Sequence, residues 1–495
     1  MSKELERGNV PAKIHAELGY GYGYGVGLFY QNHFLYFPAV LRCMGASLET
    51  AYKIYLSVIA AAIYFSAFYS AFLVSRDKYG GAVAAVSYLF SYQVISGCYE
   101  HFTMGSCVGM IFMPLAIAGM EEFLVKDKPP VLLGIGFWGE VCAHTLSAYM
   151  TFAVCLMMVI AYARILMKNP KKIGYLFLTA AAVLALTISF WLPMWEAFRV
   201  QDYKVSRPWT FPEENTVNIW SLMGRGGLGW LLFFWLLLTF VFLAEKKGCK
   251  EYRLIGTWYV MILGMMAVQM MSGFWILTRR ITGMMQFPGR LFIPVTVLLI
   301  FCAALMIRES GAGEKGKKYL LAISFLAAVY FGAGMIGGLD LKKRTGDYSE
   351  RILYEEIAGF GAGEEWLPVE TQREMLNDRN QAKAEDGSAV TGSKKDGVFS
   401  FLADREKEYY DVPFIYYRGY KAVTGDGMEL EVNKDPETSL VRVFMPKEGK
   451  QEGSMEVTVR YGGTWIQRFS YAVNAGAAIA AVIGAALWRR KQRRT

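Results

Sequence analysis

Eight side chains have types and spacings that could do chemistry. Glu140 and His144 lie four apart, so on one helix they would share a face. Glu100 stands beside His101, and Arg279, Arg280 and Arg290 flank Gln286. A carboxylate or an imidazole can take a proton from a hydroxyl. A guanidinium matches the oxygens of a phosphate in a two-point grip. Each group also has a plainer reading. Ionisable residues at membrane depth cost about 2.5–3.5 kcal/mol on insertion scales, so Glu140 and His144 serve equally well as a hydrogen-bonded pair between helices. Arginines at a bilayer edge also snorkel to headgroups. Glu196, Arg199, Asp202, Lys204 and Arg207 crowd a loop with Trp195 and Trp209, which suits sugar binding, but an interfacial loop looks the same and is the favoured reading. Tyr416, Tyr417, Tyr420 and Trp465 could form a carbohydrate platform, yet aromatic residues are common in strands.

Other chemistries are disfavoured. The seven cysteines are scattered without a C-x-x-C, so neither a zinc site nor a redox pair is read. No H-E-x-x-H is present, and no metal site is assigned. Glycines 19, 21, 23, 25 and 27 alternate in "GYGYGYGVG", but G-x-G-x-x-G needs an odd spacing to its third glycine and a preceding strand, and both are lacking.

The elements that must position these residues are mostly helices. The chain has 495 residues, of which 54% are hydrophobic and 19% charged, with mean hydropathy +0.26. That is too apolar for a soluble protein of this length. Eleven or so spans are expected near 51–75, 79–97, 104–125, 131–148, 149–167, 173–195, 228–244, 255–271, 289–307, 319–338 and 468–488. The formal charge of +9 needs no nucleic-acid partner; it is a surplus of loop Lys and Arg. "SRDKYGG", "VKDKPP", "MKNPKK", "AEKKGCKEYR", "RESGAGEKGKK" and the tail "WRRKQRRT" fall on one side, which by the positive-inside rule is the cytoplasm. No cleavable signal is read at the polar N-terminus.

The expected organisation is therefore a first outer-loop segment with an interfacial helix at 1–50 and a transmembrane domain at 51–338. An extracytoplasmic helix, turn and flexible linker follow at 339–396. A β-domain at 397–467 is expected to fold as a unit outside the membrane, because "VFSFLA", "FIYYRGYKAVT", "MELEVN", "LVRVFMP" and "MEVTVRY" alternate with period two. A last span and basic cytoplasmic tail occupy 468–495. Tyr20, Tyr22, Tyr24 and Tyr30 are placed at headgroup level. All four histidines, His15, His33, His101 and His144, map to the outer side.

Four stretches carry a family resemblance. "GNVPAKIHAELGYGYGYGVGLFYQNHFLYFPAVLRCMGASLETAYKIYL", with one GY removed, resembles the first outer loop and following helix of the YfhO-type bacterial membrane proteins and of the 6-pyruvoyl-tetrahydropterin-synthase-related membrane proteins. "MMQFPGRLFIP" resembles their Q-x-P-x-R-x-L element. "GAGEEWLP" resembles their G-x-x-E-Y-L-P turn, with Trp366 in place of the tyrosine, and "DVPFIYYRGYKAV" resembles the opening of their β-domain. The resemblance implies a polytopic α-helical, GT-C-like membrane fold in the bacterial cytoplasmic membrane. It implies transfer of a sugar from a polyprenyl-phosphate donor to a cell-wall or other envelope polymer, with a divalent metal as an option. His144, Glu140, His101 and Glu100 are then the candidate catalytic residues, and Arg290, Gln286, Arg279 and Arg280 the candidate substrate-binding ones. The family's first helix and its acidic first-loop motif are absent from this sequence, which therefore reads as truncated. The alternative is a non-enzymatic protein, either a lipid-linked-sugar transporter or a scaffold presenting the β-domain.

Overall fold

Apolar runs of helix-forming length become helices in the computed structural model, which describes residues 1–224, 226–338, 359, 363–446 and 453–492. The chain divides into two units. One comprises Glu49–Leu184 with Pro208–Thr345; the other comprises Met1–Leu48, Ala185–Arg207 and Gly346–Thr495.

The first unit is helical. Among the described residues five helices are long and apolar enough to cross a bilayer: Leu48–Ser75, Met104–Lys126, Tyr252–Met270, Pro288–Glu309 and Glu314–Gly337. Two bent pairs would raise the number to seven if each is one span: Lys78–Leu89 with Tyr92–Tyr99 in this unit, and Lys171–Leu186 with Ile188–Val200, the latter helix falling in the other unit. The runs read near 79–97 and 173–195 are thus broken helices. The first break is capped by Ser91, whose Oγ accepts from the Val94 N–H. At the second, the Asn474 amide donates to the Leu186 carbonyl, taking an acceptor that a continuous helix would use. The runs read at 131–148 and 149–167 become Val131–Ala143 and Thr145–Ala161, parted at His144 rather than after Ala148. The helix Phe292–Glu309 is buried almost throughout. The neighbouring Glu314–Gly337 turns Tyr319, Ile323, Leu326 and Tyr330 outward, as a lipid-facing helix must.

The second unit is built on two five-stranded antiparallel sheets. In chain order the strands are β1 (Gln381–Ala384), β2 (Ala389–Thr391), β3 (Ser393–Lys395), β4 (Val398–Asp404), β5 (Tyr409–Ile415), β6 (Tyr420–Thr424), β7 (Glu429–Leu430), β8 (Val432–Lys434), β9 (Leu440–Phe444) and β10 (Ser454–Tyr461). One sheet runs β2-β1-β5-β9-β8 and the other β3-β4-β10-β6-β7. Both feed one core, with Phe399, Phe401, Val457 and Val459 from the second sheet and Tyr410, Val412, Val441 and Val443 from the first. The stretch 381–395, read as flexible linker, holds the three short strands β1, β2 and β3: in β1, Ala382 and Ala384 face the core between polar neighbours. Most of the first part of the expected helix, turn and linker segment, residues 339–358 and 360–362, lies outside the described residues, as do residues 447–452 of the turn "KEGKQEG".

Two further corrections concern aromatic residues. Tyr22 and Tyr24 are not at a headgroup surface; they are 4% and 2% exposed, inside the β-domain core. The Tyr22 carbonyl accepts from the Ile415 N–H at 3.1 Å, and its hydroxyl donates to the Asp378 carbonyl at 2.7 Å. Tyr24 Oη accepts from the Trp366 N–H at 3.0 Å. Phe29 stacks on Trp366 with centroids 4.9 Å apart. The glycines make this approach possible. A Cβ at Gly25 would sit 2.6 Å from the Tyr417 ring, and one at Gly27 only 2.0 Å from the Ala12 carbonyl oxygen. Tyr416, Tyr417 and Tyr420 belong to the same core rather than to a sugar platform; Trp465 alone of that set is exposed.

The charged loop read as interfacial is used within this unit. Glu196 accepts from Thr464 Oγ1 at 2.7 Å, Lys204 pairs with Glu364 at 2.6 Å, and Arg199 lies over the Trp195 ring. Polar anchoring continues at the N-terminus, where Arg7 bridges Glu4, Glu17 and Asp396.

Gly27→Ala should therefore lower the stability of this unit by about 1–3 kcal/mol, the usual range for forced overpacking. Gly476→Ala, where a Cβ meets nothing within 4 Å, should be close to neutral; thermal unfolding in detergent reads both. The separate fragment 397–467, deprived of Tyr22, Tyr24, Phe29 and β1, should give no cooperative melt by circular dichroism.

His15 supplies a pH dependence. Its backbone bridges Tyr24, and burial, then the Met1 ammonium, push its imidazole down from 6.5 to about 3. Between those values the unfolded chain binds the proton and the folded chain does not, so stability falls as pH drops below 6.5. The loss should be about 3 kcal/mol by pH 4. His15→Gln should remove that part of the acid sensitivity in pH-dependent melts.

Candidate functional site

The polar cluster of the helical unit forms where a rigid loop meets the end of a helix. In the loop, Pro212 opens a short 3-10 turn, Pro212–Glu214. Glu214 Oε2 accepts from the Phe211 N–H at 3.1 Å and from Thr210 Oγ1 at 2.9 Å, which holds the turn. Glu213 then reaches Arg279 at 3.0 Å, and the Arg279 guanidinium lies 3.5 Å from the centroid of the Phe211 ring. The second Glu213 oxygen is buried with no hydrogen-bond partner among the described residues. Arg279 comes from the helix Ser272–Thr282, whose start is pinned by Trp275 Nε1 donating to the Val268 carbonyl at 2.8 Å.

Arg290 follows. Pro288 begins a 3-10 turn, Pro288–Leu291, that leads directly into the helix Phe292–Glu309. Proline suits that position because its missing N–H would be unpaired in a first turn. The guanidinium folds back, donating from Nη1 to the Met285 carbonyl at 2.8 Å and lying over Phe287 at 5.2 Å. Phe287 in turn meets Trp209 at 5.8 Å. Between the two arginines Gln286 adopts φ +55, ψ −48, a region that costs a non-glycine residue about 1–3 kcal/mol. Asn215 Nδ2 holds the Gln286 carbonyl at 3.2 Å.

His144 joins this cluster, and Glu140 does not. The helix ends at Ala143 because His144 is extended, with φ −160 and ψ 105, so the expected shared face of Glu140 and His144 does not exist. Glu140 is wholly buried, accepting from Thr151 Oγ1 at 2.6 Å. His144 instead places Nδ1 2.9 Å from Ser147 Oγ. One turn further on, Tyr149 Oη donates to the Ile281 carbonyl at 3.4 Å, tying this helix start to the segment that carries Arg279 and Gln286. Glu100 and His101 lie in the turn after the helix Tyr92–Tyr99. Glu100 accepts from Tyr92 Oη at 3.1 Å, while His101 is exposed. Arg280 is exposed and makes no ion pair among the described residues. Glu213, Phe211 and Asn215 were missed in the sequence, where "FPEEN" reads as an ordinary solvated turn.

Fixed guanidinium groups on aromatic faces, a carboxylate and an imidazole are what an anion and a hydroxyl proton require. Among the described residues no group of three or more His, Cys, Asp or Glu side chains able to hold a metal ion occurs.

The apolar helices define the class: the chain is a multi-pass membrane protein carrying a small β-domain. No protein-family model matches it, and no curated protein matches it. The resemblance to the YfhO-type proteins is not confirmed by these comparisons. Among solved structures, the arabinofuranosyltransferase AftD from Mycobacteria is similar at TM-score 0.41 and 11% identity, over 65% of this chain and 23% of that one. A likeness at that level assigns neither fold nor activity.

Because the Gln286 backbone is strained only for a side chain bearing Cβ, Gln286→Gly should hold or raise the melting temperature. If the cluster is functional, the same change should impair it; scanning calorimetry alongside a functional assay separates the two effects.

Proposed function

We propose that the chain is a membrane glycosyltransferase of the GT-C kind, moving a sugar from a polyprenyl phosphate to an envelope polymer outside the bacterial cytoplasmic membrane. The observation that carries the reading is the hydrogen bond from Tyr149, near the start of the helix that follows His144, to the Ile281 carbonyl, which ties that helix start to the segment carrying Arg279 and Gln286, about 140 residues away in sequence. In this proposal the acceptor hydroxyl oxygen attacks the anomeric carbon and the bond from that carbon to the phosphate oxygen breaks. The hydroxyl proton passes to the His144 imidazole. The lipid phosphate leaves as an anion facing the guanidinium groups of Arg290 and Arg279, where fixed positive charge lowers the barrier by meeting charge as it develops. The six basic loops support an arrangement with these residues and the β-domain outside and the C-terminus in the cytoplasm.

One observation favours the non-enzymatic alternative. Arg279 and Arg290 already hold partners, Glu213 and the Met285 carbonyl, as cations in a purely structural loop would.

Arg290→Lys keeps the charge and loses the planar fork, so binding of a labelled polyprenyl-phosphate sugar should weaken about tenfold or more at normal expression. His144→Gln should leave donor binding intact and lower kcat by about 10²–10⁴, the usual share of a general base. Full binding and transfer in both Arg290→Lys and Arg290→Ala would reduce Arg290 to an interfacial anchor.

A further inference from the structure

The unit that carries the β-domain contains a second polar site, unrelated to the residues above. Lys13 is 8% exposed. Its Nζ donates to the Ser189 carbonyl at 3.1 Å and faces the Tyr471 ring at 5.8 Å. It makes no ion pair with any carboxylate among the described residues. An ammonium has three donors, so most of its hydrogen-bonding capacity is unspent in a place where water is scarce. Burial pushes this group down from 10.5 to about 8, the response of a cation lacking a counter-charge. Gln31, only 7% exposed, has a buried side-chain Nε2 with no acceptor among the described residues. Both residues line a cavity of about 180 Å³, with His33 also at its wall. On the same measure one water needs only about 10–15 Å³, so the space takes a polyatomic group.

The helix end beside Lys13 carries the same sign of potential. Ser189 and Phe190, which line the cavity, lie in the first turn of the helix Ile188–Val200, whose N-terminal end is the positive end of its dipole. Donors, a buried cation and a helix N-terminus all point to one missing partner, an anion rich in acceptors.

We infer that the cavity formed by Lys13, Gln31 and the first turn of Ile188–Val200 binds a phosphate group. Its oxygens accept from Lys13 Nζ and Gln31 Nε2 in the arrangement by which helix N-termini hold phosphates elsewhere. The group belongs either to a phospholipid headgroup or to a soluble phosphate. This site does not depend on the sugar-transfer reading and stands or falls separately from it.

The test uses the full chain in an uncharged maltoside detergent, with melting temperature as readout. One arm titrates inorganic phosphate against chloride at matched ionic strength; the other dopes the micelles with phosphatidic acid. A saturable rise with phosphate assigns a soluble ligand, and a rise with phosphatidic acid alone assigns a lipid headgroup. Lys13→Met should lose at least tenfold in apparent affinity. It should nonetheless keep or raise the ligand-free melting temperature, because a buried charge without a partner is removed. Gln31→Leu should weaken the response while leaving Lys13 in place. An unchanged response in Lys13→Met, an equal response to chloride, or no response to either phosphate source overturns the proposal.

Discussion

In the β-domain unit two pieces of backbone, at Gly27 and at Ala12, lie too close together to admit a Cβ between them. Gly27 lies so near the Ala12 carbonyl, and Gly25 so near the Tyr417 ring, that neither position has room for a methyl group. From this contact the rest of the unit follows. The coil from Gly19 to Phe29 can send Tyr22, Tyr24 and Phe29 into one core with Phe399, Tyr410 and Tyr417. The two sheets then close over rings contributed by the first thirty residues, and Tyr22 adds a main-chain hydrogen bond to β5. Interiors packed to this density do not tolerate an added atom at such a point.

The same constraint places polar chemistry. Asn32 Nδ2 donates to the Ala12 carbonyl at 3.0 Å, so the residues on either side of the contact, Lys13 and Gln31, are carried to a common cavity. In the helical unit the corresponding work is done by breaks in helices. The extended backbone at His144 ends one helix and the 3-10 turn at Pro288 opens another, and each sets a polar side chain at a helix end. Polar groups in an apolar unit gather at these breaks because only there do backbone and side-chain groups need one another.

How much of this was legible in the sequence depends on range. β4 and β10 could be read because "VFSFLA" and "MEVTVRY" alternate large apolar residues with polar ones. β1 could not, since Ala382 and Ala384 are too small to mark a buried face. The insertion of the N-terminal segment was invisible for a different reason: its partners lie almost 400 residues away, and alternating glycine and tyrosine matches neither the strand nor the helix period. The start of the helix before Arg290 was readable from Pro288. The pairing of Glu140 with His144 was misread because four-residue spacing implies a shared face only while the helix continues. Glu213 carried no signal, because its partner Arg279 is contributed by a separate helix.

The central structural claim is that the first forty-four residues are an integral part of the β-domain rather than a loop lying on a membrane. A protease site placed at Met44–Gly45, where Met44 is 78% exposed, tests it directly. After complete cleavage in detergent, size-exclusion chromatography should find the N-terminal piece still bound to the remainder, released only by denaturant. Its elution as a separate species under native conditions would contradict the account.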